Sequence, residues 1–181
     1  SNAAKRQMAL RAHASKTQSK KSFVVLDLET TGLQPAKDCI IEIAAIRAEA
    51  NTAQETYSCL VQCDRPLSQK IQELTGITDE MLKKQGLALQ EALQQLLSFL
   101  GQDRLVGYNI GFDMEFLRFA CKKYNLPVPA NRCTDLLSLA RRKVYGVPNY
   151  KLATLAGHFS LPVQERHRAK SDCECMLQLY C

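Results

Sequence analysis

Asp27 and Glu29 stand in the run Phe23-Val24-Val25-Leu26-Asp27-Leu28-Glu29-Thr30-Thr31-Gly32-Leu33, where two acids interrupt β-forming apolar residues. An apolar run without alternation reads as a strand buried on both faces. Side chains at i and i+2 of a strand share a face, so both carboxylates project together near its C-terminal end. Two such charges repel, and burying them unpaired costs several kcal/mol or forces one to hold a proton. A divalent cation removes that conflict. Gly32 supplies a turn where the strand must stop, which leaves the pair at a mouth and not in mid-core.

Two further acids are out of place. Asp113 opens a predicted helix whose apolar residues Phe116, Leu117, Ala120, Cys121 and Tyr124 fall at helical spacing. An Asp at that point is an ordinary N-cap. Yet Asp113 lies four residues before Leu117, on the buried stripe. The strand before it, Leu105 to Tyr108, brings it to the same sheet end as Asp27 if the two strands are parallel neighbours. Asp172 heads a stripe made of Cys175, Met176, Leu179 and Tyr180. An acid suits a helix first turn, but an inward one needs a partner. His167, five residues earlier in the basic loop Glu165 to Lys170, would hang over whatever Asp172 binds. Each residue has an ordinary structural explanation taken alone; together they are four inward carboxylates and an imidazole.

The elements that must position them follow from pattern. Cys39 to Ala48 and Glu55 to Gln62 read as second and third strands, and their short connections make an antiparallel meander with the first. Ser68 to Leu74 and Thr78 to Lys84 read as brief helices around Thr75-Gly76-Ile77. Ala88 to Leu100 is an amphipathic helix with Leu89, Leu93, Leu96, Leu97 and Leu100 on one side. Strand then alternates with helix: Arg104 to Tyr108, Asp113 to Tyr124, Arg132 to Asp135 running into a helix through Lys143, Leu152 to Phe159, and Ala169 onward. A meander followed by β-α-β-α predicts an α/β domain with a mixed sheet.

A length of 181 residues, 46% of them hydrophobic, suits one domain over 22–181 behind a basic segment 1–21. Ser1-Asn2-Ala3 has the form of a remnant of tag cleavage, and the rest of that segment reads as a short helix or as disorder. No apolar stretch approaches the roughly 18 to 20 residues of a membrane span. The eight cysteines are scattered without a Cys-x-x-Cys pair, several inside apolar patterns. They read as thiols, which favours a reducing cytoplasm and argues against structural zinc. The net charge of +6 is polarised: residues 1–21 carry 6 basic and no acidic residues, 22–117 are net −7, and 118–170 net +9. Cations on one side of a cleft and phosphates on the other would suit that division.

With these residues in view, the chain resembles the DEDDh exonucleases of the DnaQ-like superfamily, which include the proofreading subunits and domains of bacterial replicative DNA polymerases. The motifs that carry the resemblance are Phe23 to Leu33, Val106-Gly107-Tyr108-Asn109-Ile110-Gly111-Phe112-Asp113 and His167-Arg168-Ala169-Lys170-Ser171-Asp172. Ile40-Ile41-Glu42-Ile43, Leu74-Thr75-Gly76-Ile77-Thr78 and Tyr150 to Ala156 are smaller signatures of the same kind. The resemblance implies a ribonuclease-H-like α/β fold, a five-stranded mixed sheet ordered 3-2-1-4-5 and flanked by helices. It implies that Asp27, Glu29, Asp113 and Asp172 hold two divalent cations, Mg²⁺ or Mn²⁺, with His167 as general base. Thr30, Thr31, Leu33, Ile77, Tyr108, Asn109 and Phe112 fall where substrate contacts lie. The reaction implied is 3′–5′ removal of nucleoside 5′-monophosphates from single-stranded or frayed 3′ ends, of DNA ahead of RNA, by a free-standing enzyme or by a domain that partners a polymerase or helicase. Arg166, Arg168, Lys170 and Lys151 are candidates for phosphate contacts. A non-catalytic nucleic-acid-binding or assembly module on the same fold, and an endonuclease on the same type of sheet, are the competing readings.

Overall fold

Strand β1 (Phe23–Thr30) is the centre of a five-stranded sheet. On one side it pairs antiparallel with β2 (Ile40–Glu49), which pairs antiparallel with β3 (Thr52–Leu60). On the other it pairs parallel with β4 (Arg104–Gly107), which pairs parallel with β5 (Cys133–Asp135). The order is therefore 3-2-1-4-5, the mixed sheet expected. This computed structural model describes residues 22–163 and 166–181. The expectation for segment 1–21 lies outside the described residues.

Seven helices are described: α1 (Gln69–Thr75), α2 (Asp79–Gln85), α3 (Leu89–Leu100), α4 (Ile110–Lys123), α5 (Leu136–Lys143), α6 (Leu152–His158) and α7 (Ala169–Tyr180). Alternation along the strands divides the core between them. Phe23 and Val25 of β1 join Ala44 and Ile46 of β2 in one layer with α5, α6 and α7. Val24, Leu26 and Leu28 join Ile43 and Ala45 in a second layer with α3 and α4. Leu93 and Leu96 of α3 are fully buried there, each contributing about 1.5–3 kcal/mol. A small third cluster of Ile41, Leu60, Leu67, Ile77 and Leu82 holds the α1–α2 segment to the meander.

Local chemistry sets the boundaries. Ser68 and Thr78 cap α1 and α2 by accepting from the backbone N–H of Ile71 and Met81. Gly76 ends α1 at φ 73°, a left-handed conformation that costs glycine nothing. Asn109 also takes the left-handed region, φ 58° and ψ 48°, and its N–H donates to Asp135 Oδ1 at 2.7 Å. That turn starts α4 at Ile110, three residues earlier than the periodicity predicts.

The cysteines differ from expectation at one pair. Cys39 and Cys63 form a disulfide, Cα atoms 5.8 Å apart. Cys39 precedes β2 and Cys63 follows β3, so antiparallel pairing sets the start of one strand beside the end of the other despite a sequence separation of 24. Cys121 and Cys173 are buried thiols in the core, as small hydrophobes. Among the described residues no helix is long and apolar enough to cross a membrane.

Candidate active site

Asp27 and Glu29 are odd-numbered positions of β1 and share the sheet face of Phe23 and Val25, toward α7. Asp172 comes from the first turn of α7. One oxygen from each of the three lies within 4.8 Å of the others. Asp113, only 3% exposed, occupies the first turn of α4. Its Oδ1 accepts from the backbone N–H of Leu28 at 3.1 Å, which pins it to the residue between the two β1 acids. Because α4 begins at Ile110, Asp113 is inside the helix and its carboxylate does not serve as the N-cap. His167 is solvent-exposed at the rim, its backbone N–H donating to the Leu74 carbonyl at 2.9 Å. All five residues line one cavity of about 400 Å³, together with Tyr108, Phe112, Lys151 and Arg166.

Burial and mutual repulsion push the acids toward protonation. Asp27 is raised well above the ordinary carboxylate range, first by burial and then by the charges of Asp113, Glu29 and Asp172. Burial, with Asp172 beside it, carries Glu29 to about 9. Burial also lifts Asp113 to about 8 against the stabilising Leu28 N–H bond, and Asp172 to about 6 against the neighbouring His167. Asp27 Oδ2 is sealed from solvent with no hydrogen-bond partner among the described residues. An orphaned buried carboxylate oxygen at the meeting point of acids held above their natural pKa fits a hard divalent cation, whose charge would reverse every one of these shifts.

The other predicted contact residues are distributed differently. Tyr108 and Phe112 line the cavity, the Tyr108 hydroxyl donating to the Tyr150 carbonyl. Leu33 is 80% exposed on the loop after β1. The Thr30 hydroxyl donates to the Gly32 carbonyl at 2.7 Å, and Thr31 Oγ1 accepts from the Cys39 N–H at 2.9 Å, so both shape that loop. Asn109 makes the turn into α4, exposed outside the cavity lining. Ile77 is fully buried and has no side-chain surface to offer a ligand. Its segment instead backs the His167 loop: Leu74 receives the His167 N–H, and a Cβ at Gly76 would come 2.6 Å from Arg166 Nη1. Arg168 is not free for a phosphate, since it is bonded to the buried Glu42. The signal for Glu42 was a charge inside the apolar run Ile40 to Ile43.

Residues 24–180 match the RNase_T exonuclease family. The chain is a DnaQ-like exonuclease domain. It is 37% identical over 158 residues to the PolC-type DNA polymerase III of Caldanaerobacter subterraneus subsp. tengcongensis, covering 87% of this chain and 11% of that protein. To the PolC-type DNA polymerase III of Bacillus subtilis it is 36% identical over 159 residues, with the same two coverages. The exonuclease domain therefore spans about a tenth of these relatives. Solved structures give the fold: exonuclease I at TM-score 0.80 and 22% identity, over 88% of this chain and 40% of that one. E. coli exonuclease I in complex with a dT13 oligonucleotide gives 0.77 at 22% identity, over 87% and 39%.

Proposed function

We propose that this domain is a metal-dependent 3′–5′ exonuclease of the DEDDh type, acting on single-stranded or frayed 3′ ends, DNA in preference to RNA, and releasing nucleoside 5′-monophosphates. The observation that carries the reading is the convergence of Asp27, Glu29 and Asp172 within 4.8 Å, with Asp113 pinned beside them and His167 on the same cavity. Asp27, Glu29, Asp113 and Asp172 would hold two Mg²⁺ or Mn²⁺ ions. The chemistry supplied by such ions, when bound, would be a lowered pKa of an attacking water and stabilisation of the departing 3′ oxygen. The chain's own groups supply the rest. His167, at the rim of the same cavity, would take the water's proton as general base. Tyr108, Phe112, Lys151 and Arg166 line the same cavity; the two rings would offer flat surfaces to the terminal nucleotide and the two cations would meet its phosphates. Preference for DNA, and association with a polymerase, rest on the PolC-type relatives and on the oligonucleotide-bound neighbour.

The test is degradation of matched 3′-labelled and 5′-labelled DNA and RNA strands in Mg²⁺, in Mn²⁺ and in EDTA. Stepwise shortening of the 5′-labelled strand, abolished by EDTA and by Asp27→Ala or Asp172→Ala, is the expected result. Full activity in either variant overturns the assignment. Binding without product in both metals would make the domain a non-catalytic nucleic-acid module, and cutting of a circular strand would make it an endonuclease.

A further inference from the structure

Glu42 is the third residue of β2, set among Ile40, Ile41 and Ile43 and only 2% exposed, where an isolated carboxylate would be costly. It is satisfied almost wholly by two consecutive residues of a distant segment. Arg168 Nε donates to both of its oxygens at 3.0 and 3.2 Å, Arg168 Nη2 donates at 2.7 Å, and the Ala169 N–H donates at 2.6 Å. These residues begin α7, a helix with no side-chain cap of its own. A residue on another element therefore caps it. Just before them, the His167 N–H is held by the Leu74 carbonyl. Just after, the first turn of the helix closes with the Asp172 N–H on the Arg168 carbonyl at 3.0 Å. The fork thus sits between the imidazole and the fourth acid. In the β1–β2 register Glu42 stands directly opposite Glu29, so the strand pair that presents Glu29 also fixes the depth of α7.

We infer that Glu42 is a positioning residue, which through its fork with Arg168 sets His167 and Asp172 against the acids of β1. The inference rests on the exonuclease reading and goes beyond it in naming what holds the site's C-terminal half. A buried ion pair of this kind contributes little net stability, because an apolar pair of similar volume often does as well. Its effect is on placement, and about 1 Å of misplacement can cost around a hundredfold in rate.

The experiment compares the whole chain with Glu42→Gln, Arg168→Ala and Arg168→Lys in single-turnover and steady-state cleavage of a labelled oligonucleotide. Glu42→Gln is expected to lower kcat at least about tenfold with KM within about twofold, and Arg168→Lys to recover part of what Arg168→Ala loses. In a His167→Ala background the Glu42→Gln penalty should shrink, because residues acting through one another are not additive. Calorimetry without substrate should show weaker Mn²⁺ binding by Glu42→Gln. If Glu42→Gln does not fold, Glu42→Met with Arg168→Leu keeps the question open to measurement. That pair should fold and still cleave slowly. A folded apolar pair at full rate, additive losses with His167→Ala, or a rise in KM at unchanged kcat would each overturn the inference, the last by making Arg168 a phosphate ligand. Should the unaltered chain cut nothing, the exonuclease reading falls, and the Mn²⁺ comparison still decides for or against Glu42.

Discussion

Asp27 is the residue on which the site's electrostatics turn. With no cation bound, its folded pKa and those of Glu29, Asp113 and Asp172 all lie above their unfolded values. A carboxyl raised on folding gives stability that is complete below its unfolded pKa and lost as pH climbs through the folded one. The metal-free protein should therefore melt at progressively lower temperature as pH rises through about 6, 8 and 9, the values for Asp172, Asp113 and Glu29. Differential scanning calorimetry in EDTA at pH 5.5 and 8.5 measures this, and added Mn²⁺ should raise the melting temperature mainly at the higher pH. Asp27→Asn should melt higher than the parent in EDTA at pH 8.5 while showing no Mn²⁺-induced rise. A lower melting temperature would mean that the carboxylate stabilises the fold by itself. The four acids were legible in the sequence because a charge on an apolar stripe breaks a period. Glu42 breaks the same period, but its partner is 126 residues away, and no local pattern carries that distance.

At the scale of elements, the strands and helices follow the hydrophobic periods closely, and the differences fall at their ends. α4 starts at Ile110 because Asn109 adopts a left-handed turn fastened to Asp135, a contact between neighbouring parallel strands that periodicity does not encode. The consequence for chemistry is direct, since Asp113 as an N-cap would have spent its carboxylate on its own helix. The Cys39–Cys63 link was illegible for a related reason: two positions 24 apart become neighbours only when β2 and β3 pair. Packing predicts that Leu117, fully buried on the stripe that carries Asp113, anchors α4 to the sheet. Leu117→Ala should cost about 2–5 kcal/mol in urea unfolding. Cleavage rate per folded molecule should fall as well, because the Asp113 to Leu28 bond depends on the depth of that helix.

Across the whole molecule, charge is divided along the chain: residues 22–117 are net −7 and residues 118–170 net +9. The acidic part brings three of the four site acids, and the basic part brings Lys151, Arg166 and His167 to the same cavity. Affinity for a single strand should therefore weaken with salt, log Kd changing against log salt by roughly 0.7 per neutralised phosphate. Lys151→Ala and Arg166→Ala should each lower that slope by about 0.7 in fluorescence anisotropy, and an unchanged slope would remove them from the phosphate path. The sheet order itself has a temporal meaning. Among the described residues Asp27 belongs to β1 and Asp172 to α7, so the central strand is made before the helix that completes its cluster. During synthesis the acids of β1 therefore exist as an open, half-built cluster, which closes only once α7 has emerged and docked on the sheet.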